Sequence, residues 1–515
     1  MDIPMLLDIP AAIVPDDLAV TDDGGRRWTY AALAGAANRV ADALAAAGLE
    51  PGDRVAVMAV NTAGLVAALF GIGAAGGIAV PVNFRLKREE LEHVLEDSRA
   101  RVTIAQDRYA GLVSASGATT VLSLDALEAQ GAGDAPPFLE RRTALREDGV
   151  AALLYTSGTT SAPKGVMLTH GALASYVMGA NDAPDGGDAG RALLAAPLYH
   201  VAGVTALLNA LYVGRRTHLL AQFDPAAWLA AVEGEAITHA FVVPTMLARI
   251  LDDPGFAPER VASLQALTYG AAPMPPALIE RAVERFPATV AFSGAYGQTE
   301  TSSTVAVLGP EDHRLDGDPA RRARLRSVGR VVDGVEARVV GDDGAPLPAG
   351  ATGEVQLRTG RAMAGYWGPT ADQATRVHRD DEGWLSTGDL GRLDVDGYLF
   401  LTGRKGDLII RGGENVAPAE VEAALLTHPE VLEAAVLGVA DDEWGERIAA
   451  VLVQVEGAGL DEPIMLDYAR RHLSGHRRPD VVVFVDELPR SSVGKLLRRE
   501  LVPVVRARLE RTAAT

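Results

Sequence analysis

The chain has 515 residues, 48% of them hydrophobic, no cysteine and a formal net charge of −20. That length exceeds a single hydrophobic core and calls for two or more domains, while the acidic balance argues against nucleic acid, which needs a concentrated basic surface, as a partner. The missing cysteines exclude disulfides, thiolate metal sites and cysteine nucleophiles, so any thioester must use a thiol brought by another molecule.

The start, MDIPMLLDIPAAIVPDD, lacks the basic opening of a secretory signal, and a cytoplasmic location is expected. Apolar spacing predicts a helix over 29–47, a strand over 54–60 and a helix over 88–97. Between Arg54 and Arg85 no residue is charged, long enough to suggest a membrane span. Asn61, Thr62, a glycine cluster and Pro81 favour instead a buried helix over 63–70 and a strand over 78–82. Gly71-Ile72-Gly73-Ala74-Ala75-Gly76 fits the dinucleotide pattern GxGxxG. It precedes a strand where the fingerprint must follow one, and so reads as close packing. Helix and strand alternate again at 228–233 and 239–243, and at 276–285 and 289–292, which indicates α/β layers. Turn-forming residues mark connections at 131–137, 181–190 and 309–326. After 403 the pattern shortens to a helix over 417–426, strands over 432–439 and 449–455, a helix over 464–472 and a strand over 481–484. The expected fold is thus a large multi-sheet α/β N-terminal domain, 1–403, followed by a small mobile α+β C-terminal domain, 404–515.

The strongest chemical signal follows an apolar strand over 150–154. It is Tyr155-Thr156-Ser157-Gly158-Thr159-Thr160-Ser161-Ala162-Pro163-Lys164-Gly165. Its hydroxyls, glycines and lysine can surround a polyphosphate, though it is not a Walker A loop and could be a polar surface loop. Lysine usage weighs against the bland alternative. Of 48 basic residues only Lys87, Lys164, Lys405 and Lys495 are lysine. A lysine retained in so arginine-rich a chain suggests a site that wants a compact ammonium.

That loop, Tyr296-Gly297-Gln298-Thr299-Glu300, Gly383-Trp384-Leu385-Ser386-Thr387-Gly388-Asp389-Leu390, Gly403-Arg404-Lys405-Gly406-Asp407, Gly412-Gly413-Glu414-Asn415 and Gly494-Lys495 fall in one order. The whole chain thereby resembles the adenylate-forming superfamily of acyl-CoA synthetases, adenylation domains and firefly luciferase, fatty-acid–CoA ligases above all. The resemblance implies an ATP-dependent, AMP-forming ligase that makes an acyl-adenylate and passes the acyl group to coenzyme A. It implies that Thr156, Ser157, Gly158, Thr159, Thr160 and Lys164 hold the ATP phosphates, and that Tyr296 lies against adenine with Gly270, Ala271 and Ala272 opposite. Gly297 and Gln298 belong to the same nucleotide site. Thr299 would touch phosphate, Glu300 would hold Mg2+, and Asp389 with Arg404 would take the ribose. Read alone, Glu300 could be a surface acid and Tyr296 a core aromatic.

Lys495 would stabilise the transferring phosphoryl charge, although Arg498 and Arg499 also allow a plain basic tail. The small domain would then turn about Gly406, bringing Gly412, Gly413 and Glu414 to the thiol. The family usually has Asp or Lys at that pivot, and Ser161 replaces a usual glycine. His476 precedes Arg477-Arg478, either a contact for CoA phosphates or a solvated loop.

By the same resemblance the acid lies among Tyr199, His200, Val201, Gly203 and Gly294, with 242–246 and 269–272 beside them. These are mostly apolar without Lys or Arg, which disfavours a second carboxylate. His200 is either a gate or a core histidine. A medium- or long-chain fatty acid is expected first, and an aryl or alicyclic acid second. Rival readings are an acyl-AMP ligase loading a carrier protein, a luciferase-like oxygenase and a non-catalytic acyl-nucleotide sensor. The last should have lost Lys495 or Glu300. The oligomeric state stays open, a homodimer included.

Overall fold

The computed structural model describes residues 1–131, 145–156, 163–315, 317–368, 379–441, 444–455, 457–490 and 496–513. It divides into two compact units. The first holds 1–336 and 358–385, the second 337–357 and 386–515. The α/β class expected from the sequence is the class observed.

Among the described residues the first unit contains two large sheets. In the seven-stranded sheet, Arg54–Met58 runs parallel to Ile78–Val82 and Val102–Ala105, while Val150–Thr156 turns back antiparallel into Lys164–Thr169. In the nine-stranded sheet, Arg191–Leu194, His239–Val242, Ala266–Gly270 and Ala291–Gln298 are consecutive parallel neighbours. The helices Tyr30–Ala46, Ala63–Ala74, His170–Ala180 and Val201–Tyr212 share one apolar core with both sheets. Side-chain alternation is clear on Arg54–Met58: Val55 and Val57 enter that core, and Ala56 and Met58 enter a second one under the helix Arg88–Ser98.

The uncharged stretch folds as the helix Ala63–Ala74 and the strand Ile78–Val82, and no helix among the described residues is long and apolar enough to cross a membrane. The glycine pattern covers the last turn of that helix and the turn leading to the strand. A Cβ at Gly71 would meet the Ala37 carbonyl at 2.5 Å, which is the helix packing expected. The helix start is closed by acids. Thr62 Oγ1 accepts from Leu65 N, Asp22 Oδ2 from Ala63 N, and the buried Glu128 accepts from Thr62 Oγ1 at 2.7 Å and Gly64 N at 2.8 Å. Glu128 also pairs with Arg26 at 2.6 Å, and a Cβ on Gly64 would overlap its side chain.

Two local expectations need correction. The strand expected over 289–292 begins at Ala291 and runs to Gln298, because Val290 N closes a turn onto Pro287 and the glycine-bearing end pairs antiparallel with Ser303–Leu308. The connection 309–326 contains a 3-10 turn, Pro310–His313, and a short helix, Pro319–Arg324, capped by Asp318. The connection 181–190 is irregular, and 132–137 lies outside the described residues.

In the second unit a four-stranded sheet joins Val335–Val340, Gly353–Thr359, Leu385–Leu393 and Leu399–Arg404. A further sheet is built on the hairpin Val431–Asp441 and Gly445–Gln454, with Val481–Phe484 parallel to the latter. Ile448, Ala450 and Leu452 point to one core, Ala449, Val451 and Val453 to another.

Burial also sets a pH response. His170 is 2% exposed and its Nδ1 accepts from Ile3 N at 3.3 Å, which requires the neutral ring. Burial pushes its pKa down to about 4, against a smaller opposing pull from Asp2. A folded-state pKa below the unfolded value contributes stability above the unfolded pKa, and this is lost as pH falls towards the folded one. Stability is therefore expected to drop by about 1–3 kcal/mol from this residue between pH 6.5 and 4. Urea midpoints measured across that window should fall less steeply for His170→Gln. Equal slopes would remove His170 as the cause.

Candidate active site

The four parallel neighbours of the nine-stranded sheet all end at one edge, and ligands of open α/β sheets bind at the carboxyl ends of strands. Arg191–Leu194 leads towards Tyr199 and His200, His239–Val242 to the helix Pro244–Asp252, Ala266–Gly270 to Ala271 and Ala272, and Ala291–Gln298 to Thr299 and Glu300. Residues spread over a hundred positions are thus brought to one edge by strand pairing. The backbone there is specialised. A Cβ on Gly270 would meet the Ala295 carbonyl at 2.5 Å, and Ala271 is left-handed at φ 65°. Such a conformation costs energy in a residue other than glycine and clusters at functional sites. A bulge between Tyr296 and Gly297 re-aims the strand end. Gln298 N then donates to Thr301 Oγ1 at 3.0 Å, closing a turn that carries Thr299 and Glu300.

Lys164 faces Thr156 across the hairpin that bears the phosphate-loop candidate. Ser157, Gly158, Thr159 and Thr160 lie outside the described residues. The base of that loop is held on the helix Arg88–Ser98: His93 Nε2 is 3.1 Å from the Pro163 carbonyl, and Tyr155 donates to Asp97 Oδ2 at 2.6 Å. The segment 363–367 then ties the hairpin to Glu300. Trp367 N donates to the Gly165 carbonyl at 2.8 Å and Met363 N to the Glu300 carbonyl at 2.8 Å. Tyr366 Oη donates to Glu300 Oε1 at 2.9 Å, and Lys164 Nζ stands 5.3 Å from the centre of the same ring. Burial, then the Glu300 charge, push the Tyr366 phenol well above its usual range, so it stays a donor at any working pH.

Along the same edge Tyr199 is buried, with its ring 5.7 Å edge-on from Phe84 and 4.6 Å from His200. Burial pushes His200 down to about 4, so this ring is neutral near pH 7. Val201 opens the helix Val201–Tyr212, and Gly203 lets that helix close on the Pro197 carbonyl, which a Cβ would overlap. Gly294 packs instead on Tyr269, whose ring a Cβ would meet at 3.0 Å. Tyr269 Oη donates to His313 Nε2 at 2.8 Å, and His313 Nδ1 donates to the Gly309 carbonyl at 2.7 Å.

In the second unit Asp389 is buried and accepts from Arg404 Nε at 2.9 Å, across paired strands. Gly406 has ordinary negative φ and open space where a Cβ would stand. Gly412 and Gly413, at φ 57° and 83°, make the two-residue turn joining Ile409–Arg411 to Glu414–Val416. Gly412 N donates to the Trp444 carbonyl at 2.8 Å, Arg411 pairs with Asp480 at 2.5 Å, and Glu414 lies 3.4 Å from His476 Nδ1. Arg477 pairs with Glu420 at 3.0 Å. Lys495 lies outside the described residues.

Sequence reasoning missed Tyr366, Asp97 and His93. The only local sign of Tyr366 was an aromatic pair after glycine, Gly365-Tyr366-Trp367. For a divalent cation the donor chemistry fits: Mg2+ is usually held by one or two carboxylates plus substrate phosphates, and Glu300 is a half-buried carboxylate fixed beside Lys164 by Tyr366.

Comparison with known proteins follows the same lines. Residues 8–367 match the family described as AMP-binding enzyme, and 420–495 match the AMP-binding enzyme C-terminal domain. The chain is 40% identical to a feruloyl-CoA synthase of Amycolatopsis sp over 93% of its length and 94% of that protein's. It is 35% identical to the fatty acid–[acyl-carrier-protein] ligase ScoC of Streptomyces coeruleorubidus, over 93% and 91% of the two chains. Among solved structures it resembles the o-succinylbenzoate CoA synthetase of Bacillus subtilis in complex with the acyl-adenylate intermediate OSB-AMP. That likeness has a TM-score of 0.83 at 31% identity and covers 96% of this chain and 97% of the other.

Proposed function

The chain belongs to the AMP-binding enzyme family and is an AMP-forming acid–CoA ligase, and from that premise we propose that its acid is aromatic. The carboxylate attacks the α-phosphate of ATP, pyrophosphate leaves, and the CoA thiol then displaces AMP from the acyl-adenylate. The observation that carries the acid class is the aromatic packing around the residues expected to meet the acid: Phe84 edge-on to Tyr199, Tyr199 against a neutral His200, and Tyr269 packed on Gly294. Aromatic rings stack edge-on or offset with such side chains. The feruloyl-CoA synthase and the OSB-AMP complex support this reading, so the fatty acid expected first from the sequence gives way to the aryl acid.

Within this reading Thr156, the loop 157–160 and Lys164 hold the phosphates, and Tyr296 with 270–272 holds adenine. Asp389 with Arg404 takes the ribose, and Thr299 orients the α-phosphate. Glu300 with the nucleotide phosphates would hold Mg2+, which neutralises phosphate charge when bound. Gly412, Gly413 and Glu414 serve the thiol step, and the pivot is Gly406, just past a boundary at 403/404. Open space at Gly406 makes Gly406→Ala harmless in packing. Gly406→Pro fixes φ and removes a donor. It should slow thioester formation by an order of magnitude with pyrophosphate release retained, and unchanged thioester formation would place the pivot elsewhere.

The deciding assay is nucleotide product analysis with ATP, Mg2+ and a panel of aryl, alicyclic and fatty acids, each with CoA, carrier protein or neither. AMP formed with cinnamate-type acids and rising with CoA is the expected result. AMP formed best with fatty acids, or rising only with carrier protein, would favour the activity named for ScoC. ADP would overturn the adenylate reading.

A further inference from the structure

The contacts around Tyr366 draw together two groups of opposite charge without letting them pair. Lys164 and Glu300 come from different sheets of the first unit, one from the strand Lys164–Thr169 and one from the turn after Ala291–Gln298. A flexible ammonium and a carboxylate that contact the same ring are candidates to fold onto each other, and a nucleotide would then have to break the pair before binding. Tyr366 is 4% exposed, and its backbone is paired with Val166, two residues from Lys164. Its ring face meets Lys164 Nζ at 5.3 Å, while its hydroxyl takes one oxygen of Glu300 at 2.9 Å. The Glu300 backbone is fixed from the same segment through Met363 N. The ring is therefore a rigid spacer with a cation contact on its face and a donor at its tip.

We propose that Tyr366 is a positioning residue that holds Lys164 and Glu300 apart and aimed, so that phosphate and its divalent cation meet a site already arranged. This rests on the nucleotide-binding reading above. Preorganised charges need no rearrangement when the nucleotide arrives. The hydroxyl governs Glu300 and hence the cation, whereas the ring governs Lys164 and hence phosphate. The two contributions should separate.

The test is calorimetric titration of ATP into the full chain at a series of Mg2+ concentrations, for wild type, Tyr366→Phe and Tyr366→Leu. Tyr366→Phe keeps the ring. It should need about tenfold more Mg2+ for half-maximal ATP affinity, with affinity for ATP without Mg2+ unchanged. Tyr366→Leu should in addition weaken ATP without Mg2+. Circular dichroism and thermal midpoints check folding, and if the leucine variant does not fold, the phenylalanine variant decides. Wild-type Mg2+ dependence in Tyr366→Phe, or equal weakening with and without Mg2+, would overturn the spacer role. Wild-type protein that takes up no ATP at any Mg2+ concentration would overturn the nucleotide reading itself.

Discussion

Replacing Lys495 with alanine is expected to lower acyl-adenylate formation by about 10²–10³-fold while leaving thioester formation from supplied acyl-adenylate nearly intact. The two half-reactions make different demands. In the first, negative charge spreads over the oxygens of the transferring group, where a positioned ammonium stabilises the transition state more than the ground state. In the second, a neutral thioester replaces a mixed anhydride and no pyrophosphate leaves. The case for this lysine rests on its rarity, four in a chain with 44 arginines, and on its glycine-bearing setting, Val493-Gly494-Lys495. Arg498, by contrast, is taken up structurally, pairing with Glu422 at 2.6 Å and donating to the Val436 carbonyl. Pyrophosphate release and CoA consumption from synthetic acyl-adenylate give the two rates. A parallel fall in both would make Lys495 a binding or folding residue.

The second large effect is expected at Asp389. Its carboxylate is buried, its backbone N donates to Thr387 Oγ1 at 3.1 Å, and Arg404 engages Oδ1. Hydrogen bonds to a charged group contribute about 1.5–3 kcal/mol each, so losing two ribose contacts in Asp389→Ala should cost about 10²–10⁴-fold in kcat/KM for ATP. Asp389→Asn, which keeps the shape and loses the charge, should fall between the two. The same variants separate ribose recognition from local collapse. 2′-Deoxy-ATP should be a poorer substrate than ATP for wild type and nearly its equal for Asp389→Ala. A variant that still discriminates the two nucleotides would place the ribose contact elsewhere.

Much of this was legible from local sequence because the elements concerned obey local rules. The helices 30–46 and 88–98 follow a 3.6-residue period and the strands at 78–82 and 481–484 are β-branched runs, so their limits were readable to within a residue or two. The order of the motifs identified the candidate site, and the glycine pattern at 71–76 was set aside correctly because its position between helix and strand is visible in the sequence. What stayed hidden depends on distant pairing. Ala291–Gln298 is glycine-bearing and reads poorly as a strand, yet parallel pairing with Ala266–Gly270 as far as Ala295 and antiparallel pairing with Ser303–Leu308 beyond it carry the strand to Gln298. The left-handed backbone of Ala271 has no signature in an alanine. Tyr366 matters through Lys164 and Glu300, some 200 and 66 positions away, and no window reading joins them. The acid class is hard to read from sequence for a related reason. Apolar lining residues suit a fatty chain as readily as an aryl ring, and the edge-on packing of Phe84 on Tyr199 has no local signature.

The start of the helix Ala63–Ala74 bears on how such a chain can drift. Gly64 and Glu128 occupy one volume between them, since the space a side chain at 64 would need is filled by the carboxylate that caps the helix. Any descendant that gives residue 64 a side chain must first give up the acid at 128, and with it the partner of Arg26. Loss of the acid alone strips the helix of a cap and leaves a hole. The two positions should therefore change together or not at all, and substitution histories here should show paired replacement 64 residues apart.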